Sequence, residues 1–571
     1  MPSSNPAIVR QESNGLTVVA YRGVGGVLLA FDLSRADAKS LAGFAIDRSD
    51  PQGTTRPLLN RLSFDRPLTS SGGTEARRWT DSHLAPFQYF RWVDIPPDVV
   101  TGDYTYTVTT RYFLGNGTTM RDGPSATVTV PLLVDDWSNF QLGFTRGYLS
   151  SQAYRDHFHD ASGKPLDFRP RPITLDYDTT PYQRQYEWLG FSGRKLLFDF
   201  LDECVADRTC SVDMFAYDFD EPEMLARLQA LGPRLRAFLD NAALHRGPAD
   251  LEPEARRRLE HSAGADHVKA GRFGRYAHCK VLIKKDATGK AVAVLAGSAN
   301  FSVRGLYAQA NNIFVFRDER VAGLYEAAFD QAFDHPLSQF KRSPIATSWH
   351  EVSGAGIPTA SFCFAPHTDG NLSLQPVGDA IDDPATSSVL FAVMQFGGGA
   401  VTQALGRLPS RDRVFSMGVV DTGNNAVVYS PSAPNGKVVQ YDYLHGQVPW
   451  PFYEEYGRDA ETGGRVIHDK FVVVDFNGRK PQVFFGSSNL AKGGEEENGD
   501  SLLSCKDPLL VSAFAVEAMR NIDHFHFRSA RRRATRAAPL TLHTGRWWAP
   551  WYAARTLKSR DRKLFANPRL A

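Results

Sequence analysis

Residues 468–475 read "HDKFVVVD". Phe471 to Val474 form an apolar run suited to a buried strand, yet a histidine, an aspartate and a lysine lead directly into it. In an extended chain residues i and i+2 share a face. His468 and Lys470 therefore project side by side while Asp469 turns away. The same arrangement occurs once more, in "HCKVLIKKD" at residues 278–286, where His278 and Lys280 precede Val281, Leu282 and Ile283.

One HxK tripeptide carries almost no information, because chance supplies it readily. These two gain weight from the residues downstream of each. "GSANF", residues 297–301, comes directly after the apolar "AVAVLA", and "GSSNL", residues 486–490, directly after "QVFF". Each holds a glycine, a serine (Ser298, Ser487) and, three residues after the glycine, an asparagine (Asn300, Asn489).

The paired motifs resemble the phospholipase D superfamily, whose signature is HxKxxxxD followed by GSxN, present twice in single-chain members. The likeness spans roughly residues 136–560. The second copy fits in full, with Asp475 as its acid; in the first, Lys285 stands at that position and Asp286 follows one residue late. The resemblance implies an α/β fold of two related halves, each a mixed β-sheet flanked by helices, with one active site between them. It also implies that His278, Lys280, Asn300, His468, Lys470 and Asn489 line the reacting phosphate, with Ser298, Ser487 and Asp475 in support. The family often carries a further carboxylate that orients the opposing histidine. Counting from each motif glycine, that position falls on Asn311 in the first half and Asp500 in the second. Only one half keeps an acid there, so the two histidines are expected in different electrostatic environments.

The chemistry explains the choice of residues. A phosphodiester is already anionic and has a poor leaving group unless the departing oxygen is protonated. Two lysines and two asparagines around one phosphate supply charge and hydrogen bonds where negative charge develops, without calling for a metal or a cofactor. Histidine, with its pKa near neutrality, suits nucleophilic attack and proton transfer. By resemblance, His278 is the nucleophile that forms a phosphohistidine and His468 the acid–base; Asp500 is able to orient either.

Around this region the sequence divides. Residues 1–135 contain "LTVVAY", "GVLLAFDL", "FQYFRWVDI", "YTYTVTTRYFL" and "ATVTVPLL", short alternating segments between turn residues, and predict a β-sandwich of immunoglobulin or fibronectin III type. Residues 136–345 alternate helix and strand patterns: "RKLLFDFLDECV", "CSVDMFAYDF", "EPEMLARLQAL", "RLRAFLDN". A similar order returns over residues 346–540 in "SSVLFAVMQF", "AVTQALGRL", "RVFSMGVVD" and "NAVVYS". Residues 541–571 are a basic, aromatic tail expected to pack on the catalytic region.

The chain has 571 residues, 42% hydrophobic and 22% charged, with a net charge of +2, as expected of a multidomain globular protein. Charge is unevenly spread: residues 528–571 carry ten Arg and two Lys against one Asp, a net of +11, leaving −9 elsewhere. No apolar run reaches the length of a spanning helix, and the N-terminal "MPSSNPAIVRQESNG" lacks an apolar signal core. A cytoplasmic location is the default expectation, with signal-less export left open. The five cysteines have no CxxC spacing and read as reduced, mostly buried thiols.

Several features have plain readings. His524 and His526 fit core or surface histidines, "FGGGA" (396–400) a strand-to-helix turn, and Glu495–Glu497 a solvated loop beside the site. The expected function is a phospholipase D type phosphodiesterase acting on phospholipid headgroups by hydrolysis or transphosphatidylation. The alternatives are a metal-independent nuclease with the same site, and an inactive binding protein. Peripheral membrane contact and a partner protein on the β-sandwich are left open.

Overall fold

The computed structural model describes residues 6–64, 79–115, 117–147, 152–161, 166–168, 174–247, 250–394, 397–421, 436–440, 467–530 and 541–569. The expected strand "NAVVYS" and the arginines of residues 531–536 lie outside them, as does the side chain of His526.

Two large mixed sheets form the centre. The first runs, in spatial order, Phe140–Phe144, Asn312–Phe316, Ala291–Gly297, Val281–Lys285, Ser211–Ala216, Leu235–Asp240, Val268–Gly271. The second begins with the strand His350–Gly354 and continues Ile357–Ala365, Asp500–Cys505, Gln482–Gly486, Phe471–Val474, Ser388–Val393, Phe415–Val420, Gly436–Gln440. Apart from the added edge strand, the two orders correspond element by element. In both, the strand after the HxK motif pairs antiparallel with the strand that ends in the GSxN glycine, and the far three strands run parallel. Val281, Leu282 and Ile283 in the first sheet and Phe471–Val474 in the second are apolar and buried, as the central strands of a covered sheet require.

The flanking helices follow their sequence cues. Pro222–Leu231 starts with proline in its first turn, capped by Glu221, whose carboxylate accepts from the Met224 amide at 2.6 Å. Glu319–Phe333 is capped by Asp318 and buries Val321, Ala322, Tyr325, Ala328, Phe329, Ala332 and Phe333, one face of a 3.6-residue repeat. Gly398 and Gly399 turn the chain into the helix Ala400–Arg407.

The one-residue delay of Asp286 has a local cause. The pairing of the first motif strand with Ala291–Gly297 slips between Lys284 and Lys285. The unpaired residue is Val292 of the partner strand, while the motif strand Val281–Lys285 is one residue longer than Phe471–Val474; it delivers Asp286 to the turn, where Asp286 accepts from the amides of Thr288 (2.8 Å) and Lys290 (3.0 Å). Lys285, at the expected acid position, pairs with Asp213 at 2.8 Å and Glu326 at 3.1 Å.

Residues before 135 form two four-stranded antiparallel sheets. One holds Ile8–Ser13, Leu16–Arg22, Val27–Asp32 and Arg91–Asp94; the other Met120–Leu132, Gly102–Phe113, Leu41–Ser49 and Thr55–Pro57. Their inner faces share one core. The outer residues of the first sheet, Val19, Tyr21, Leu28 and Ala30, belong to the core of the central sheets.

The tail expected on the catalytic region is corrected by its packing. Trp547, Trp548 and Trp551 are buried in the core of the N-terminal sheets, where Trp547 Nε1 donates to the Leu41 carbonyl at 2.8 Å. These indoles find an apolar face there together with an acceptor for a ring N–H. Only farther on, at Phe565, does the tail enter the central core, between Tyr21, Phe415 and Phe476. The helix Leu557–Ala566 thus straps the N-terminal sheets to the second half. Asp561 on it receives the buried Arg91 Nε at 3.0 Å.

Asp561 is fully buried, and burial pushes its carboxyl up to about 6 even with Arg91 beside it. Arg91→Ala is expected to leave this charge uncompensated and to cost about 3–5 kcal/mol, measured by denaturant unfolding at pH 8. The double variant Arg91→Ala/Asp561→Ala is expected to recover part of that loss.

Candidate active site

The two HxK motifs and the two GSxN motifs meet between the sheets. Both tripeptides lie just before their strands, in extended chain. Alternation then sends His278 and Lys280 one way and Cys279 the other; His468 and Lys470 separate from Asp469 likewise. Asp469 is enclosed on the opposite side by Asn312 Nδ2 at 3.2 Å and Asn521 Nδ2 at 3.4 Å. Each lysine folds back so that its ammonium donates to the carbonyl of its own histidine, Lys280 to His278 and Lys470, at 2.7 Å, to His468.

The glycines of GSxN are imposed by close approach. Gly297 and Gly486 sit at φ +158° and +146°, and a Cβ would lie 2.2 Å from the Asn312 carbonyl oxygen and 2.4 Å from that of Ser501. No side chain fits in such a gap.

The adjoining serines repay this closeness with matched hydrogen bonds. Ser298 Oγ accepts from the Asn312 amide at 3.0 Å and donates to Asn311 Oδ1 at 2.9 Å. Ser487 Oγ accepts from the Ser501 amide at 2.9 Å and donates to Asp500 Oδ1 at 2.8 Å. Each serine thereby fixes the residue that reaches across to the other half. Asp500 Oδ1 meets His278 Nδ1 at 2.7 Å, and Asn311 Oδ1 meets His468 Nδ1 at 2.8 Å. The Asn311 amide is oriented by its Nδ2 donating to the Gly305 carbonyl at 2.8 Å, which leaves Oδ1 as the acceptor. Both imidazoles consequently carry their proton on Nδ1 and present Nε2 as the basic nitrogen.

Electrostatically the site is a buried cationic pair facing a carboxylate. Burial, and then the fields of Lys280 and Lys470, hold His278 well below the ordinary imidazole pKa. His468 is held down by burial, then Lys470 and Lys280, and next by His278. Burial lowers Lys280 to about 8, against the pull of Asp500. The Asp500 carboxyl is pushed up to about 7 by burial, with Lys280 opposing. Both histidines are neutral at pH 7 in the empty site, a state suited to nucleophilic attack.

Asn300 Nδ2 donates to Asp218 Oδ2 at 3.1 Å. The Oδ1 atoms of Asn300 and Asn489 are buried without a hydrogen-bond partner among the described residues. Unpaired buried amide oxygens are rare in folded proteins. A ligand donor or a reoriented amide would satisfy them.

Asp475 is not part of this cluster. It ends the second motif strand at φ +53° and accepts from the amides of Ser387 (3.0 Å) and Lys480 (2.9 Å), as Asp286 does for its own turn. Glu495 is no solvated loop residue: it is 1% exposed and accepts from Ser373 Oγ at 2.5 Å and from Ser488 Oγ. The surroundings also contain groups that the motifs do not announce. The Tyr217 ring stands 4.7 Å from that of His278 and under the Lys280 ammonium at 4.8 Å. No spacing signal marks Tyr217 or Asp218; only their place just beyond a parallel strand, Ser211–Ala216, could have suggested them.

No family model and no curated protein matches this chain. Solved structures do. Polyphosphate kinase from Porphyromonas gingivalis is 12% identical over 61% of this chain, with a TM-score of 0.38, and the match spans about half of that kinase, 53% of its length. Phosphatidylserine synthase from Haemophilus influenzae Rd KW20 is 14% identical over 57% of this chain and 84% of its own, at 0.39. Nuc from Salmonella typhimurium, described as a phospholipase D family member, is 20% identical over 24% of this chain and 86% of its own, at 0.20. With likenesses this distant, the functional reading rests on the side chains of the site.

The raised Asp500 carboxyl makes a stability prediction. A carboxyl at about 7 in the folded chain, against about 4 unfolded, favours folding below the unfolded pKa and loses that contribution as pH rises through 7. Asp500→Asn removes the buried charge and keeps the acceptor for Ser487 and His278. It is expected to raise the stability at pH 8 by an amount on the order of a few kcal/mol, seen as a higher melting temperature, and to leave the melting temperature nearly unchanged at pH 4. Thermal scans at the two pH values decide this.

Proposed function

We propose that the protein is a phosphodiesterase of the phospholipase D type, in which His278 attacks phosphorus and His468 serves as acid and base. The observation that carries the proposal is the crossed pairing of each histidine with the opposite half, carboxylate on one side and amide on the other.

The asymmetry assigns the roles. Attack by His278 Nε2 forms an N–P bond and breaks the P–O bond to the leaving alcohol. The imidazole then bears positive charge with Nδ1–H still in place, and Asp500, hydrogen-bonded to that nitrogen at 2.7 Å, is placed to neutralise it. Among the described residues the hydrogen-bond partner of His468 Nδ1 is the neutral Asn311, which favours a permanent cation less than a carboxylate does and lets a proton be released easily. An anionic phosphate bound between Lys280 and Lys470 offsets their fields and lifts His468 toward the range where it can protonate the leaving oxygen. In the second step His468 takes a proton from water, the water oxygen attacks phosphorus, and the N–P electron pair returns to His278. An alcohol in place of water gives transfer instead of hydrolysis. Asn300 and Asn489, whose amide oxygens have no hydrogen-bond partner among the described residues, complete the cradle when their amides turn N–H toward the phosphate oxygens.

Phospholipid headgroups are the substrate class we favour, with contact at a membrane surface. Among the described residues no helix is long and apolar enough to cross a membrane, so such contact is peripheral. The test is one incubation of the full chain with mixed phospholipid vesicles and single-stranded DNA. Headgroup release is expected; DNA cleavage alone would make the protein a nuclease, and loss of neither would sink the proposal.

Role assignment is testable separately. His278→Ala is expected to abolish phosphoenzyme formation, and His468→Ala to slow turnover by about 10²- to 10⁴-fold while still allowing label to be trapped on His278. Label recovered on His468 would reverse the assignment.

A further inference from the structure

Beside the phosphate site lies a second cluster that the mechanism does not use. Asp218 follows the strand Ser211–Ala216, His245 follows the strand Leu235–Asp240, and Glu252 opens the helix Glu252–Ala263. The two strands are parallel neighbours, so all three side chains gather at the same sheet end, where α/β folds place their ligands. One donor atom from each lies within 4.8 Å of the others.

His245 is 5% exposed. Its Nδ1 is engaged by Asp240 Oδ2 at 2.9 Å, which leaves Nε2 as the nitrogen available to a ligand. Asp240 is itself fixed, accepting from the amides of Ala242 at 2.8 Å and Ala277 at 2.6 Å. A buried imidazole held by a carboxylate through one nitrogen, with the other left for a ligand, is the arrangement that orients metal-binding histidines. No lysine or arginine among the described residues makes a salt bridge to Asp218 or Glu252. Asn300, 5% exposed, donates its Nδ2 to Asp218 Oδ2 at 3.1 Å and so links this cluster to the phosphate site.

We infer that Asp218, His245 and Glu252 bind a divalent cation of the zinc or manganese class, beside the phosphate site and distinct from it. One imidazole and two carboxylates suit these ions. Bond lengths of about 2.0–2.2 Å require the three side chains to draw in slightly around the ion. Three protein ligands leave coordination positions open. Asn300 joins the two sites, and the Tyr217 ring lies between His245, at 4.6 Å, and His278, at 4.7 Å. An ion here is placed to hold a second anionic oxygen of the substrate next to the phosphate under attack. This bridging role rests on the proposed phosphodiesterase reading; the binding itself does not.

The test therefore reads binding, not turnover. Full-length protein, stripped with chelator and dialysed, is titrated with Zn²⁺ and with Mn²⁺ by calorimetry, with thermal scans alongside. One equivalent is expected to bind and to raise the melting temperature. Glu252→Gln, at a half-buried helix start, and His245→Gln should each abolish the site, and Asp240→Asn should weaken it by roughly 10- to 100-fold. His278→Ala should bind the metal unchanged, so failed catalysis and failed metal binding remain distinguishable. Absence of saturable binding, or equal binding by folded Glu252→Gln, would overturn the inference. Binding of choline in place of metal, lost in Glu252→Gln, would likewise replace it with a pocket for an organic cation.

Discussion

The crossing of His278 to Asp500 and of His468 to Asn311 is the constraint around which the rest of the molecule is arranged. Neither histidine is oriented by its own half. Each depends on a residue at the start of a strand of the other sheet, Asp500 as its first residue and Asn311 just before it, and each of those residues is held by the serine of its own GSxN motif. The isolated bridges between Ala310 and Ile467 and between Tyr276 and Asn498 run along the same seam. Separating the halves by even an ångström would break both hydrogen bonds, so the interface must be as rigid as a core. The continuous cluster that includes Val281, Phe314, Phe471, Phe485 and Phe514 provides that rigidity.

How much of this was legible in the sequence depends on whether the cause is local. The motif strands, the helix caps and the correspondence of the two sheet orders follow from apolar periodicity and turn residues, which act over a few positions. Asn311 and Asp500 could be located by counting, because a strand fixes the distance from the GSxN glycine. Which histidine each would meet could not, since that depends on how the halves dock. Where Asp475 would sit could not be read for a related reason. It matches the motif by spacing, but a strand of four residues carries it to the far end of the sheet, where backbone amides are its partners. Glu495 resisted reading because a run of three glutamates looks solvated; only a tertiary contact with Ser373 and Ser488 shows that its first member turns inward. The tail's tryptophans announced burial without saying in which core.

The same site runs against stability. Two lysines, two histidines and a carboxylate are enclosed where solvation is weak, and the pKa shifts measure the resulting tension: the bases are pushed down and the acid up. Such opposition is expected where function and folding disagree. Asn311 marks a partial relief. At the position that pairs with His468 the chain has an amide of nearly the same shape, which keeps the hydrogen bond and removes one buried charge. The carboxylate at Asp500 is the charged member of the pair, and on the reading proposed above it faces the histidine that becomes cationic.

The N-terminal sheets belong to this balance. The sheet containing Tyr21 and Arg91 contributes to the central core on one face and to its own core on the other, so it cannot tilt without opening one of them. Tyr21 donates to the Phe565 carbonyl at 2.6 Å and Asn477 donates to the Leu564 carbonyl at 2.7 Å. These bonds tie the turn after the second motif strand to both the strap helix and the N-terminal sheet. Asp475 starts that same turn. A brace at one end of the strand Phe471–Val474 fixes its position along the sheet, and with it the depth at which His468 and Lys470 emerge at the other end. The accessory sheets thus bear on the geometry of the two-histidine site while, among the described residues, contributing no side chain to it.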